Sequence, residues 1–326
     1  MKRWVVAVLA VVLVLGLAAC GGNQSQGRNN ANDHTGASNS PASSEDNQST
    51  VGQNEEKVLG FSISTLNNPF FVDLRDGAQK AADKLEYKLV VLDAQDDSAK
   101  QVGDVEDLIQ QKVDLLIINP TDSAAIVTAI EAANQANIPV ITVDRGADGG
   151  EVITHIASDN VAGGKMAAEY IKEKLNGKGK LVELEGIPGT SAARDRGAGF
   201  NEVIKADPEL TVVAKQPADF DRAKGMSVME NILQAQSEID AVFAHNDEMA
   251  LGALEAIEAA GRKGIIVVGF DATPDAVQAV EEGRLAATVA QQPVLMGEMA
   301  VEYAATILKG EKVESYIPVE LKLVTQ

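Results

Sequence analysis

The residues best suited to chemistry stand side by side at the end of one apolar run. Asp144 and Arg145 follow Ile138–Val143, a stretch of mostly β-branched residues that is typical of a buried strand in a parallel sheet. Ligands of such sheets bind outside the carboxyl ends of the strands, where both side chains would project. A carboxylate accepts hydrogen bonds and a guanidinium donates several, so the pair suits either catalysis or the recognition of a hydroxylated ligand.

A second part of the chain repeats this arrangement. One copy runs from Asp114 through a strand, a helix and a second strand to Asp144, and the other runs from Asp240 to Asp271. The two aspartates are 30 residues apart in the first copy and 31 in the second. This echo predicts two lobes whose strand-end carboxylates face each other across a cleft, a favoured place for small ligands. Such carboxylates repel unless a polyhydroxylated or cationic ligand, or an arginine, lies between them.

Further candidates lie near other predicted strand ends. Phe70 and Phe71 are adjacent in a chain with 4% aromatic residues, so both rings cannot face the core side of one helix, and core and site stay open for either ring. Asn68 could be only a helix N-cap before Pro69. Four other candidates could equally be solvated, capping or loop residues, and their shared placement is what selects them. They are Arg196, Phe220, Asn246 and Gln291.

The sequence offers little support for catalysis. The three histidines, His34, His155 and His245, have no metal-ligand spacing, and Cys20 is the only cysteine of the chain. There is neither a Gly-x-Gly-x-x-Gly fingerprint after the first strand nor a Walker loop, so no cofactor and no metal are predicted. The turn Gly186–Thr190 could meet an anion, but one such turn is a weak signal. A binding protein is favoured over an enzyme.

An α/β framework would position these residues. Strand-like runs alternate with amphipathic segments from Lys57 onward, the pattern of a doubly wound architecture. The clearest predicted strands are Val58–Ser64, Lys88–Asp93, Asp114–Asn119, Pro139–Val143, Lys180–Leu184, Ala241–Ala244, Ile265–Phe270 and Ala286–Ala290. The clearest predicted helices are Phe70–Leu85, Ala124–Ala136, Met166–Leu175, Glu248–Ala260 and Leu295–Leu308.

The N-terminal region has a different character. Basic residues precede the apolar run Trp4–Leu17, and small residues lead to Cys20, which predicts a secretory signal in residues 1–20. Leu17-Ala-Ala-Cys20 resembles a bacterial lipobox, whose cysteine is lipidated, for example with palmitate; an ordinary signal peptide with an incidental cysteine is the alternative. Residues 21–56 are polar and lack aromatic side chains, so we expect a disordered tether. The formal charge of −20 argues against nucleic acid as a partner.

Residues 57–326 resemble the ribose-binding proteins, the substrate-binding components of sugar ABC transporters, which have the type I periplasmic binding protein fold. The resemblance rests on Ser64–Phe71, Ile118–Asp122, Asn134–Ile141, His155–Asn160, Gly189–Arg194, Gln216–Arg222 and Asn246–Ala253. It implies two Rossmann-like lobes, each a mostly parallel sheet flanked by helices, joined by a three-strand hinge. It also implies a monomer that closes on D-ribose or a similar monosaccharide and is recognised by the permease and ATPase subunits of an ABC importer.

The resemblance further implies a role for each candidate and a division into lobes. Hydrogen bonds to the pyranose would come from Asn68, Asp144, Arg145, Arg196, Asn246, Asp271 and Gln291, and Phe70, Phe71 and Phe220 would enclose it. The chain would cross near Ser158, Gln291 and Pro318–Leu321, between an N-terminal lobe of residues 57–158 and 292–320 and a C-terminal lobe of residues 159–291 and 321–326.

Two features depart from the soluble members of that family. The lipobox and the long tether favour a lipid-anchored protein on the extracytoplasmic face of the cell membrane of a Gram-positive cell. Ala272 stands where glycine is common, which could alter the backbone freedom beside Asp271.

Three other functions stay open. One is a binding protein for another monosaccharide, such as allose, xylose, a galactose-like sugar or a furanose signalling molecule. The others are the effector domain of a sugar-responsive repressor and an enzyme acting on a sugar or nucleotide. The predicted signal, and the lack of a basic DNA-reading segment before Lys57, argue against the repressor.

Overall fold

Strands and helices alternate through residues 56–326, which are the residues that the computed structural model describes. These residues belong to one compact unit, Asn54–Gln326. The predicted signal peptide with Cys20, and the predicted tether apart from Glu56, lie outside the described residues.

The elements follow one another in the order that a doubly wound protein requires. The first group comprises β1 (Val58–Ile63), α1 (Pro69–Lys84), β2 (Lys88–Asp93), α2 (Ser98–Gln110), β3 (Leu115–Ile118), α3 (Val127–Gln135), β4 (Val140–Val143) and β5 (Thr154–Ser158). The second comprises α4 (Asn160–Lys174), β6 (Gly179–Glu185), α5 (Ser191–Lys205), β7 (Leu210–Pro217), α6 (Arg222–Ala235), β8 (Ala241–Ala244), α7 (Asp247–Ala259), β9 (Ile266–Asp271), α8 (Pro274–Glu281) and β10 (Ala287–Ala290). The chain ends with α9 (Pro293–Leu308), β11 (Tyr316–Val319) and β12 (Lys322–Thr325).

The strands form two six-stranded sheets, which define an N-terminal and a C-terminal lobe. The first has the order β11-β5-β4-β3-β1-β2 and is parallel throughout, and the second has the order β12-β10-β9-β8-β6-β7, with only β12 antiparallel to its neighbour. The chain passes between the sheets after β5, after β10 and between β11 and β12. The predicted fold class is confirmed, whereas the residue limits given above for the lobes stay a prediction.

Helices cover both faces of each sheet, which explains why the central strands are apolar runs rather than alternating patterns. In the N-terminal lobe α1 and α9 pack on one face, and α2 and α3 on the other. In the C-terminal lobe α4 and α5 cover one face, and α6, α7 and α8 the other. Both cores therefore leave the carboxyl ends of the strands available for a site.

The internal echo is a structural repeat. In one lobe the Asp114 Oδ2 atom accepts a hydrogen bond from the Val58 N–H at 2.8 Å, and in the other the Asp240 Oδ2 atom accepts from the Lys180 N–H at 2.7 Å. Each aspartate thus ties its own strand to the start of the neighbouring strand. The repeat places Asp144 and Asp271 at equivalent ends of the two sheets.

Two predicted helix starts were wrong, and side-chain caps explain both. Helix α3 begins at Val127 rather than Ala124, because the Asp122 carboxylate accepts from the N–H groups of Ala124 and Ala125 and stabilises a separate turn. Helix α4 begins six residues before the predicted Met166, because Asp159 caps it by accepting from the Ala162 N–H at 2.9 Å.

Helices α4 and α5 approach so closely that only glycine fits at their contact. A Cβ atom on Gly164 would lie 2.1 Å from the Arg196 carbonyl oxygen, and one on Gly199 would lie 2.0 Å from that of Val161. This approach brings α5 and its Arg196 beside the start of α4. Within residues 56–326, no helix is long and apolar enough to cross a membrane, and no group of histidine, cysteine and acidic residues could hold a metal ion.

Candidate ligand-binding site

A buried cavity lies between the two lobes at the carboxyl ends of their strands. The cavity is small, and buried polar and aromatic side chains line it. All ten predicted ligand-binding residues line it, together with one small apolar residue that was not predicted. The lining residues are Asn68, Phe70, Phe71, Asp144, Arg145, Ala192, Arg196, Phe220, Asn246, Asp271 and Gln291. What each contributes to binding stays a prediction.

The start of α1 contributes an amide and two rings. The Asn68 Oδ1 atom caps the helix by accepting from the Phe70 N–H at 3.0 Å, which leaves the amide nitrogen as a donor for a ligand. Phe70 and Phe71 meet edge to face with their centroids 5.2 Å apart, and both are buried. Both rings line the cavity and also belong to the core under α1, so the two alternatives for these rings are compatible.

Asp144 follows β4 in the left-handed region, with φ +60°. Its Oδ2 atom accepts from the Asn119 Nδ2 group at 3.2 Å, and the same group donates to the Val143 carbonyl at 3.0 Å. Ser64 fixes this amide in turn, because its N–H and hydroxyl both donate to Asn119 Oδ1. The Asp144 Oδ1 atom is buried without a hydrogen-bond partner, so it is a free acceptor.

Arg145 lies between the acid and two aromatic rings. Its Nε atom is 3.8 Å from Asp144 Oδ2, and its guanidinium carbon is 4.9 Å from the centre of the Phe71 ring and 5.1 Å from that of Phe220. Burial lowers the pKa of the Arg145 guanidinium, while Asp144 and Asp96 oppose the shift. An arginine stays charged in a protein, so the site keeps a fixed donor fork.

The C-terminal lobe supplies a second arginine and acid. Arg196 donates through Nε to Asn160 Oδ1 at 2.8 Å and through Nη1 to the His245 carbonyl at 2.6 Å, and its guanidinium lies 3.8 Å from the centre of the Phe270 ring. Its Nη1 atom is 3.6 Å from Asp271 Oδ1. Burial also lowers the pKa of Arg196, opposed first by Asp271. The solvated position considered above as an alternative for Arg196 is therefore excluded, since the residue is 3% exposed.

Asp271 is the most perturbed acid of the site. Burial raises its pKa well above the ordinary value, and the charge of Arg196 opposes that shift. Gln291 donates through Nε2 to Asp271 Oδ1 at 2.8 Å, while its own Oε1 atom is buried without a partner. Asp144 and Gln291 thus offer one unused acceptor each, from opposite sides of the cavity.

Asn246 and Phe220 complete the C-terminal wall. Asn246 caps α7 by accepting from the Met249 N–H at 3.0 Å, and its Nδ2 group donates to the Phe220 carbonyl at 3.3 Å. The Phe220 ring lies against Gly186, where a Cβ atom would come within 2.0 Å of the ring. Gly186 was considered above as part of an anion-binding turn; the structure gives it a role in making room for this ring.

The lobes also touch directly beside the cavity. The Gly146 N–H donates to Ser191 Oγ at 2.8 Å, and the Ser191 N–H donates to Ser123 Oγ at 3.1 Å. Farther out, Arg194 and Asp148 form an ion pair at 2.8 Å. These contacts join the loops after β3 and β4 to the start of α5, so the structure shows the lobes closed on one another.

The site is equipped to bind hydroxyl groups. Two carboxylates and the Gln291 amide oxygen accept, two guanidiniums and the amides of Asn68 and Asn246 donate, and aromatic rings cover the remaining walls. His155 and His245 do not line the cavity: His155 contacts Thr142 Oγ1, and His245 lies between the Gly186 N–H and Glu183.

Residues 59–312 match the periplasmic binding protein domain family. The chain belongs to this family. The predicted resemblance is confirmed, and the family consists of substrate-binding transport proteins rather than enzymes.

Relatives of high identity agree with this assignment. This periplasmic binding protein is 57% identical over 278 residues to the ribose import binding protein RbsB of Bacillus subtilis, which covers 85% of this chain and 90% of the relative. It is 56% identical over 269 residues to RbsB of Escherichia coli, covering 82% and 90%. A solved ABC transporter solute binding protein from Bacillus halodurans with bound myo-inositol is 37% identical, with a TM-score of 0.80 and coverage of 84% and 96%.

Sequence reasoning missed the residues that support the site from behind. Asn119 holds Asp144, Asn160 holds Arg196, and Ala192 lines the cavity. Asn119 directly follows β3, so the strand-end rule that selected the other candidates could also have found it, whereas Asn160 is the first residue of α4.

Proposed function

We propose that this periplasmic binding protein binds D-ribose outside the cytoplasm and delivers it to the permease and ATPase subunits of an ABC importer. The observation that carries the proposal is the convergence of two carboxylates and two guanidiniums, one of each from either lobe, on one small buried cavity. Relatives named ribose import binding protein, at 55–57% identity, support ribose as the sugar.

Each lobe would hold the sugar through its own acid and arginine. The unused oxygen atoms of Asp144 and Gln291 accept from sugar hydroxyls, and the two arginines donate to ring and hydroxyl oxygens. Phe70, Phe71 and Phe220 cover the apolar faces of the sugar ring. Charged hydrogen bonds contribute about 1.5–3 kcal/mol each. A few of them therefore suffice for the roughly −8 kcal/mol of micromolar binding.

Ligand binding would work through closure of the lobes. The three chain crossings act as the hinge between the two lobes, whose limits were predicted above. A sugar that touches both lobes binds the closed form more tightly than the open form, and this difference in affinity shifts the protein toward closure. The permease would recognise the closed monomer. No bond of the sugar is broken, so the proposed site needs neither a nucleophile nor a general base.

A sugar panel tests the proposal directly. In a thermal-shift screen we expect ribose to raise the melting temperature most, because a ligand of the native state stabilises it by mass action. Calorimetry should show that Asp144→Ala and Arg196→Ala abolish measurable ribose binding, whereas Arg75→Ala, on the exposed face of α1, binds as wild type. A larger shift with allose, xylose, galactose, fructose or myo-inositol would transfer the assignment to that sugar, and conversion of a sugar to product would establish an enzyme.

The N-terminal region would place the protein at the membrane. We propose that Cys20 is lipidated and that the following polar tether holds the binding domain at the extracytoplasmic face of the cell membrane, as in a Gram-positive cell. Labelling cells with an alkyne fatty acid should mark the wild type and not Cys20→Ala. Equal labelling of the two would rule out the anchor while leaving ribose binding untouched.

A further inference from the structure

The turn that presents Asp271 to the cavity has a strained backbone. Asp271 has φ +118° and Ala272 has φ +57°, both in the region that favours glycine. Such conformations persist only where surrounding contacts hold them. Gln291 donates to Asp271 twice, from its side chain to the carboxylate and from its backbone N–H to the carbonyl at 3.3 Å. It makes no hydrogen bond to Ala272 or Thr273, the next two residues of the turn.

Two buried residues outside the cavity hold the rest of the turn. Thr288 Oγ1 accepts from the Ala272 N–H at 3.2 Å and donates to Asp247 Oδ1 at 2.7 Å. Asp247 Oδ2 accepts from the N–H and the hydroxyl of Thr273 at 2.8 and 3.2 Å. A hydroxyl that accepts from one neighbour still has its proton to donate to another, so the Thr288 hydroxyl links the turn to the carboxylate.

The surrounding fold makes room for this network. Asp247 and Thr288 are completely buried, and neither lines the cavity. A Cβ atom on Gly269 would lie 2.3 Å from Asp247 Oδ1, so glycine at that position leaves the space that the carboxylate occupies. Burial raises the pKa of Asp247 to about 7, opposed by its hydrogen bonds from Thr288 and Thr273. Burying a carboxyl is unfavourable unless hydrogen bonds compensate, and Asp247 accepts three of them, from Thr273 and Thr288.

We propose that Asp247 and Thr288 are positioning residues, which hold the turn Asp271–Thr273 in the geometry that presents the Asp271 carboxylate to the sugar. The inference rests on the proposed sugar-binding function. It assigns an effect on affinity to two residues that do not touch the ligand. In the other lobe, Asn119 holds the Asp144 carboxylate by a direct hydrogen bond. The two acids are therefore held in place by different kinds of contact.

A set of isosteric variants tests the proposal. Thr288→Val removes the hydroxyl and keeps the shape, and Thr288→Ser keeps the hydroxyl. The matched control is Thr154→Val, because Thr154 is a buried strand threonine of the other sheet whose hydroxyl has no hydrogen-bond partner. In ribose calorimetry we expect Thr288→Val to lose roughly tenfold or more in affinity, and the serine and control variants to stay within about twofold.

Amide hydrogen exchange separates positioning from a general loss of stability. In the sugar-free protein, the N–H groups of Ala272 and Thr273 should exchange faster in Thr288→Val than in wild type, while those of β6 and β8 stay unchanged. Equal exchange at the two turn amides, or wild-type ribose affinity of Thr288→Val, would overturn the proposal.

Two further outcomes are decisive. If Thr288→Val does not fold, amide exchange of the wild type decides the question. Slow exchange of the Ala272 N–H supports the proposal that Thr288 holds the turn, and exchange as fast as in an exposed loop overturns it. If the wild type binds no ribose, the proposed function fails. Ribose binding by the wild type with unchanged affinity of Thr288→Val contradicts the positioning role alone.

Discussion

Replacing Asp144 with asparagine tests the site at a single oxygen atom. The Oδ2 atom already accepts from Asn119, whereas Oδ1 is buried and unpaired, so we expect Oδ1 to accept a sugar hydroxyl. Asparagine keeps the shape and an oxygen for the Asn119 amide, but it presents a neutral NH₂ group where the charged acceptor stood. Loss of one charge-assisted bond, about 1.5–3 kcal/mol, corresponds to a fall in ribose affinity of about 10- to 150-fold.

Calorimetry measures this loss directly, and thermal unfolding checks it independently. At a ribose concentration of about 1,000 times the wild-type dissociation constant, the sugar stabilises wild type by about 4.1 kcal/mol and a variant of 100-fold lower affinity by only about 1.4 kcal/mol. The control is Asp83→Asn, an exposed carboxylate of α1 that accepts from Gln79 Nε2. Wild-type affinity for Asp144→Asn would refute the idea that the unpaired oxygen serves the ligand.

Four further variants test other parts of the structure. Arg196→Lys keeps the charge but loses the fork geometry and the ring contact, so ribose affinity in calorimetry should fall by roughly tenfold or more. Arg194→Ala removes the exposed ion pair with Asp148 across the closed lobes, which should weaken ribose binding by no more than about fivefold at low salt and less at high salt. Ala272→Gly removes the steric cost of a left-handed alanine, about 1–2 kcal/mol, and adds an entropic cost of about 0.5–1 kcal/mol. The melting temperature of the sugar-free protein should therefore rise by up to about 4 °C, and a lower melting temperature would contradict the strain at Ala272. The neutral His245 ring accepts a hydrogen bond from the Gly186 N–H, and burial lowers the pKa of His245 below 6.5. The unfolded chain therefore binds a proton at His245 more readily than the folded protein does. In denaturant titrations, the unfolding free energy of wild type should fall relative to that of His245→Gln as the pH drops below about 6.5.

The framework of the fold could be predicted because its signals are local. Apolar β-branched runs and amphipathic helices alternate in the sequence, and they form the two sheets and their covering helices in the structure. Two helix starts were predicted wrongly although their causes are also local, because a capping side chain fixes a helix start more exactly than the apolar pattern does. Asp122 stabilises a turn and delays α3, and Asp159 starts α4 early, although both are ordinary capping residues in the sequence.

The lining of the cavity could be predicted for a related reason. Strands of a parallel sheet present their carboxyl ends at one edge, so the repeat predicted Asp144 and Asp271 at equivalent edges of two sheets, and a cleft between two lobes is a favoured ligand site. The supporting residues are different. Asp247 lies 41 residues before Thr288, and nothing in the local sequence around either residue indicates that they meet.

The sequence by itself determined which side chains end the strands, that the fold has two lobes, and that acids, arginines and rings would meet between them. Only the tertiary structure decided which atoms of those side chains remain free for a ligand, and how strongly burial shifts their ionisation. Asp144 has one oxygen bonded to Asn119 and one unpaired, and burial raises the pKa of Asp271 beside Arg196. Hydrogen-bond pairing and desolvation depend on neighbours that are remote in the chain, so these properties exist only once both lobes have folded.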